Sequence, residues 1–156
     1  KNNPIYSYNE YDIYLNFIGN RIYFPLHEKS RKWINNSSNK TIQGIKLLPK
    51  NGNLLILSKS LKDVFVLKNL GFNAVSLSSE TSNLMEYEYN KLIDRFDNII
   101  CFPDNDDTGK LFSQKILEKY NIFSIFIPEN TKCKDISDYI KKEGFEKSKI
   151  LMNSLI

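Results

Sequence analysis

Asp104 and Asp106 stand two residues apart in the stretch Phe102-Pro103-Asp104-Asn105-Asp106-Asp107-Thr108-Gly109. An apolar run precedes this loop and a helical pattern follows it. Two carboxylates in one loop form the oxygen cluster that a hard divalent cation such as magnesium needs, usually completed by water and substrate phosphates. The same residues also fit a plainer description, a solvated Asx-turn with Thr108 as helix cap. Asp107 reads as a charge favoured at a helix start. A second group is basic and aromatic: Arg21, Lys29, Arg31 and Lys32 lie around Trp33. Cations beside an aromatic platform suit a single-stranded nucleic acid, with salt-sensitive affinity; Trp33 would otherwise plug a small core. His27, the only histidine, reads as a polar surface residue.

The elements that must position these groups follow from periodicity. Residues 98–102 read as a buried strand ended by Pro103, and residues 110–119 as the next helix, with Leu111, Phe112, Ile116 and Leu117 on one face. Residues 54–57 form an earlier strand, followed by a helix over 60–70 with Leu61, Val64, Phe65 and Leu67 as apolar positions and Gly71 as its stop. A strand at 74–77, a helix at 84–95 capped by Asn83 with Glu86, and a fourth strand at 122–127 complete the series. Ser60 with Asp63, and Asp135 with Asp138, have the form of capping boxes, the second before a helix ending near Gly144. Alternating strands and helices imply a parallel sheet of about four strands flanked by helices. Ligands bind such sheets at the carboxyl ends of the strands, which places Lys59, Glu80, Asp104 and Asp106 along one edge. Before this series, a strand at 21–26, the cluster at 29–34 and turns at 35–38 and 51–52 suggest a small α+β lobe. Residues 1–52 are then the basic lobe, and residues 53–156 the α/β domain.

Charge follows the same division. Residues 1–53 hold eight Lys/Arg against three Asp/Glu, a balance of +5, whereas residues 54–156 hold fourteen against fifteen, a balance of −1. A basic amino-terminal third suggests a polyanion-facing surface, although a solvated basic face has the same composition. No apolar run approaches membrane-spanning length. Cys101 and Cys133 are far apart without a CxxC partner, so zinc is not expected in this fragment, and Cys101 reads as a small core residue. The start at Lys1-Asn2-Asn3, without Met, suggests an excised piece of a longer chain, and the Asn, Lys, Ile and Tyr content an AT-rich genome.

Taken in order, the segments 54–64, 74–80, 102–109 and Lys134-Asp135-Ile136-Ser137-Asp138 resemble the Toprim domain, the catalytic fold of bacterial-type primases and of topoisomerases. The likeness extends over about residues 20–145. It is closest to the primase branch found in phages, in which a lobe like Tyr23-Phe24-Pro25…Lys32-Trp33…Gln43-Gly44…Leu48-Pro49 precedes the Toprim segment. One departure stands out. Toprim domains carry a Glu-Gly pair four residues before an Asp; counting back from Asp63 gives Lys59-Ser60 here. An ammonium cannot ligate a metal but can hold a phosphate as a compact point charge. The expectation is that Lys59 contacts a nucleotide phosphate and that Glu80 supplies the missing carboxylate.

The resemblance implies template-directed synthesis of short RNA primers on single-stranded DNA. Mg2+ or Mn2+ would be held by Asp104, Asp106 and Glu80, with Lys134, Asp135 and Asp138 as possible additional site residues. It also implies nucleoside triphosphates as substrates, a replicative helicase as partner, and the cytoplasm of a bacterial or phage-infected cell, or an organelle in a eukaryote. Two rivals share the fold: a non-catalytic nucleic-acid-binding module whose chemistry went with the glutamate, and a Toprim nuclease. Metal at the aspartate pair beside Glu80 would favour catalysis, and an ion pair between Lys59 and Asp104 the non-catalytic module.

Overall fold

The computed structural model describes residues 3–37, 40–78 and 83–156. The chain opens with three antiparallel strands, β1 (Tyr6–Tyr11), β2 (Phe17–Tyr23) and β3 (Trp33–Asn35), in the order β1-β2-β3. The β1–β2 connection closes on Asp12, whose Oδ1 accepts from the backbone N–H groups of Tyr14 and Asn16, both at 2.9 Å. Such side-chain-to-backbone bonds stabilise a turn without further secondary structure. Tyr8 lies opposite Arg21, and Tyr23 opposite both Tyr6 and Trp33, so these residues share one face. The second strand therefore spans 17–23 rather than 21–26; Phe24-Pro25 lies beyond it, where a proline cannot extend the ladder.

A second sheet follows. Its strands are β4 (Ile42–Gln43), β5 (Gly52–Ser58), β6 (Ala74–Leu77) and β7 (Phe96–Phe102), in the order β4-β6-β5-β7. β5 runs parallel to both β6 and β7, whereas β4 is antiparallel to β6 through Ile42↔Leu77 and Gln43↔Ser76. Residues on both sides of position 52 thus share this sheet. The strand expected at 122–127 is reduced to one parallel bridge, Cys101↔Ser124. Cys101 donates to the Phe123 carbonyl at 2.8 Å and accepts from Ile125 N–H at 2.9 Å. Ser124 also accepts a 2.6 Å hydroxyl bond from Ser113 of the preceding helical segment.

Among the described residues, five α-helices complete the fold: α1 (Leu61–Asn69), α2 (Glu86–Ile93), α3 (Asp107–Tyr120), α4 (Ile136–Glu143) and α5 (Phe145–Leu155). The central strand shows why two helical layers form. Leu55 and Leu57 enter one buried cluster with Leu92, Phe112 and Ile116, while Ile56 enters the other with Val64, Leu67, Ile136 and Met152. Alternation of side chains across a strand with both faces covered gives a continuous apolar run. Two expected helix faces are corrected. Leu111 and Leu117 are 53% and 39% exposed, because α3 buries only the stripe through Phe112 and Ile116; Phe65 is likewise exposed. α2 is not capped by Asn83: it starts after Met85, whose N–H donates to Glu88 Oε2 at 2.8 Å.

Candidate active site and nucleic-acid groove

The loop after β7 is held by its middle residue. Asn105 N–H donates to the Lys134 carbonyl at 2.9 Å, and its side-chain amide donates to the Ile127 carbonyl at 3.1 Å. Asp104, on one side of it, is fully buried. Asp106, on the other, caps α3 by accepting from Gly109 N–H at 2.9 Å, so the cap is Asp106 and not Thr108. Gly109 is required by close approach. A Cβ there would collide with the Asp104 carbonyl oxygen and lie 3.0 Å from that residue's carbonyl carbon and nitrogen.

Among the described residues, four charges meet at this loop. Lys59, just beyond the carboxyl end of β5, pairs with Asp104 Oδ2. Lys134 Nζ lies 2.9 Å from the same oxygen and 2.6 Å from Asp106 Oδ2, bridging the two aspartates. Among the described residues, Asp104 Oδ1 is buried without a hydrogen-bond partner. The hydrogen bond from Lys134, aided by that from Gly109, holds the Asp106 carboxyl below the usual carboxylate range. The same two carboxylates, Asp106 first and then Asp104, push the Lys134 ammonium above the ordinary lysine range.

The donor set suits a hard divalent cation: two carboxylates on one loop, one oxygen without a donor, and two oxygens already sharing a cation. Among the described residues, no three His, Cys, Asp or Glu side chains cluster as a ready-made cage. Glu80, the expected third carboxylate, lies outside the described residues. Asp135 caps α4 by accepting from Asp138 N–H at 2.7 Å and also pairs with Lys62 at 3.3 Å, while Asp138 is exposed. Neither belongs to the four-charge cluster. Asp63 is buried between α1 and α4, accepting from Ser60 Oγ at 2.6 Å and Ser137 Oγ at 2.5 Å. Burial and then the nearby Asp135 charge raise its carboxyl above the usual range.

A groove of about 610 Å³ runs between the first sheet and α1 and reaches Lys59. Tyr8, Tyr23, Trp33 and Phe65 supply its rings, and Arg21, Lys32, Lys59 and Lys62 its cations. Trp33 is 48% exposed and stacks on Tyr23 with ring centroids 4.4 Å apart. Arg21 lies 5.8 Å from the Trp33 ring and pairs with buried Glu10 at 3.3 Å. Arg31 is exposed outside the groove lining, and Lys29 falls on the 29–31 turn with its side chain outside the described set. Tyr8 and Phe65 were not anticipated as groove residues. The alternation Tyr6, Tyr8, Glu10 is the signal for a strand that would carry Tyr8, whereas nothing local marks Phe65.

This arrangement has counterparts among solved structures. A DnaG catalytic core superposes with TM-score 0.75 at 20% identity, covering 96% of this chain and 52% of that one. A DnaG primase catalytic domain bound to ssDNA gives 0.68 at 20% identity, over 96% and 51%. The primase fragment of the bacteriophage T7 primase-helicase protein gives 0.65 at 15% identity, over 97% and 63%. The chain thus spans about half to two thirds of these chains, and at such identities the likeness is one of fold. No curated protein matches the sequence. The Toprim-like family model matches residues 56–140, which contain the central strand β5, the Asp104–Asp106 loop and Lys134. With more than half of its length in that match and a primase-core fold around it, the chain belongs to the Toprim-like family.

Proposed function

We propose that the chain is the catalytic core of a DNA primase, making short RNA primers on a single-stranded DNA template by nucleotidyl transfer. The observation that carries this reading is the juxtaposition of an aromatic, basic groove with the Asp104–Asp106 loop, joined at Lys59. Stacked rings with flanking cations hold unpaired bases and backbone without reading sequence. The ssDNA-bound DnaG domain and the T7 primase-helicase fragment, of similar fold, support both the template and a helicase partner. In this reading Arg21, Lys32 and Trp33 line the template path, Lys29 and Arg31 add basic charge to the same lobe, and Lys59 meets a nucleoside triphosphate phosphate. Asp104 and Asp106, with Glu80, would hold Mg2+ or Mn2+, which when bound would neutralise phosphate charge and favour the attacking hydroxyl.

A second reading, a non-catalytic nucleic-acid-binding module, is favoured by one observation, the ion pair between Lys59 and Asp104. Labelled ribonucleotide incorporation on single-stranded DNA separates the two. For primase, wild type makes primers in Mg2+ or Mn2+, Asp106→Asn loses at least about a hundredfold as charge stabilisation is removed, and Glu80→Gln falls with it. Template binding without synthesis in wild type would establish the module instead.

A further inference from the structure

We propose that Lys134 is an exchangeable counter-ion that occupies the divalent-cation seat and leaves it when the cation enters. This rests on the metal-dependent reading of the aspartate pair. The geometry comes first. Lys134 Nζ sits 2.9 Å from Asp104 Oδ2 and 2.6 Å from Asp106 Oδ2, bridging the two carboxylates that would hold a divalent cation. One ammonium and one metal cannot both bridge this pair of carboxylates.

The placement of Lys134 is built in. Its carbonyl accepts from the backbone N–H of Asn105, the residue between the two aspartates, so the lysine backbone is tethered to the loop it neutralises. Its side chain remains 46% exposed, with an outward path that leaves the tether intact. Lys59, at 28% exposure, touches Asp104 Oδ2 alone and remains on it through the exchange, until a triphosphate arrives, so the buried charge keeps one ammonium when Lys134 leaves. Burial of an unpaired carboxylate is costly, and retention of one ammonium avoids that cost.

Exchange has a charge consequence. Two carboxylates and two ammoniums are neutral together; entry of a divalent cation with Lys134 still nearby leaves a local excess of positive charge, even with the Glu80 carboxylate counted. The displaced ammonium then faces a separate open cavity on the far side of the loop, lined also by Lys110, Lys132 and Glu129. A polyphosphate is the ligand class that such an excess recruits. Metal and triphosphate should therefore bind the site together better than either does alone.

Mn2+ binding to the full chain, read by the loss of the free-ion electron paramagnetic resonance signal, tests the exchange. The proteins compared are wild type, Lys134→Met, Lys134→Gln and Asp106→Asn, each checked for folding by thermal melting in metal-free buffer. Removing the competing ammonium should tighten Mn2+ binding about tenfold in Lys134→Met, the order expected for loss of two partly exposed ion pairs. Lys134→Gln, polar but neutral, should tighten it as well, and Asp106→Asn should weaken it. Unchanged or weaker affinity in both Lys134 variants, with wild type still binding one ion, would overturn the exchange and leave the metal-dependent reading intact. Absence of binding in every protein would overturn both.

Discussion

Asp63 illustrates how a residue read as a helix cap acquires a second role through burial. It follows the N-cap Ser60 by three residues, and its N–H donates to Ser60 Oγ at 3.4 Å. The reciprocal bond runs from the Ser60 hydroxyl to the carboxylate, not from the Ser60 backbone, and Ser137 of α4 donates from the other side. Because burial raises its folded pKa, Asp63 stabilises the fold fully only below the ordinary carboxylate value of about 3.9. That contribution is lost as pH rises through the raised folded value. Asp63→Asn, permanently neutral, should therefore gain Tm relative to wild type on going from about pH 4 to about pH 7.5, at roughly 2–4 °C per kcal/mol for a chain of this size. A melting difference independent of pH would refute this.

At the scale of elements, the β7–α3 junction depends on the absence of one side chain. Gly109 occupies the first turn of α3, where alanine ordinarily favours a helix by about 1 kcal/mol. Here the Asp104 backbone fills the space a Cβ needs. Gly109→Ala should reverse the usual sign, destabilising by about 1–3 kcal/mol in denaturant titration through overpacking, and should also displace Asp104 from its lysines. A stabilised variant would show that the loop yields freely. The series of parallel strands was legible because four-residue apolar runs and stop signals are local. β4 was not, since two residues at a sheet edge carry no period. Residues 122–127 were overread as a strand because their apolar content matches one, while among the described residues Cys101 alone offers them backbone partners.

At the scale of the molecule, a buried polar chain joins the two sheets. Arg21 pairs with Glu10, Gln43 Nε2 donates to Glu10 Oε1 at 3.1 Å, and Ser76 Oγ donates to Gln43 Oε1 at 2.9 Å. Glu10, Gln43 and Ser76 are all buried. The chain sets the first sheet, and with it the groove floor, against β4 and β6. Gln43→Leu leaves Glu10 and Ser76 without that partner and should cost about 1–3 kcal/mol, read as a lower Tm by differential scanning calorimetry. The loss should be greater than that of Gln114→Leu, whose amide is exposed on α3.

What the sequence by itself determined was local: the βαβ series, two aspartates in the loop after a buried strand, the basic lobe, and the order of motifs that marks a Toprim domain. These are carried by periodicity, punctuation and short spacing. Tertiary structure alone decided which charges meet. Lys59 and Asp104 are 45 residues apart, and Lys134 reaches both aspartates from beyond α3. A buried carboxylate requires a counter-charge, but sequence does not say which of the many lysines will supply it; only the packing of β5, β7 and the 132–135 loop brings two of them to Asp104.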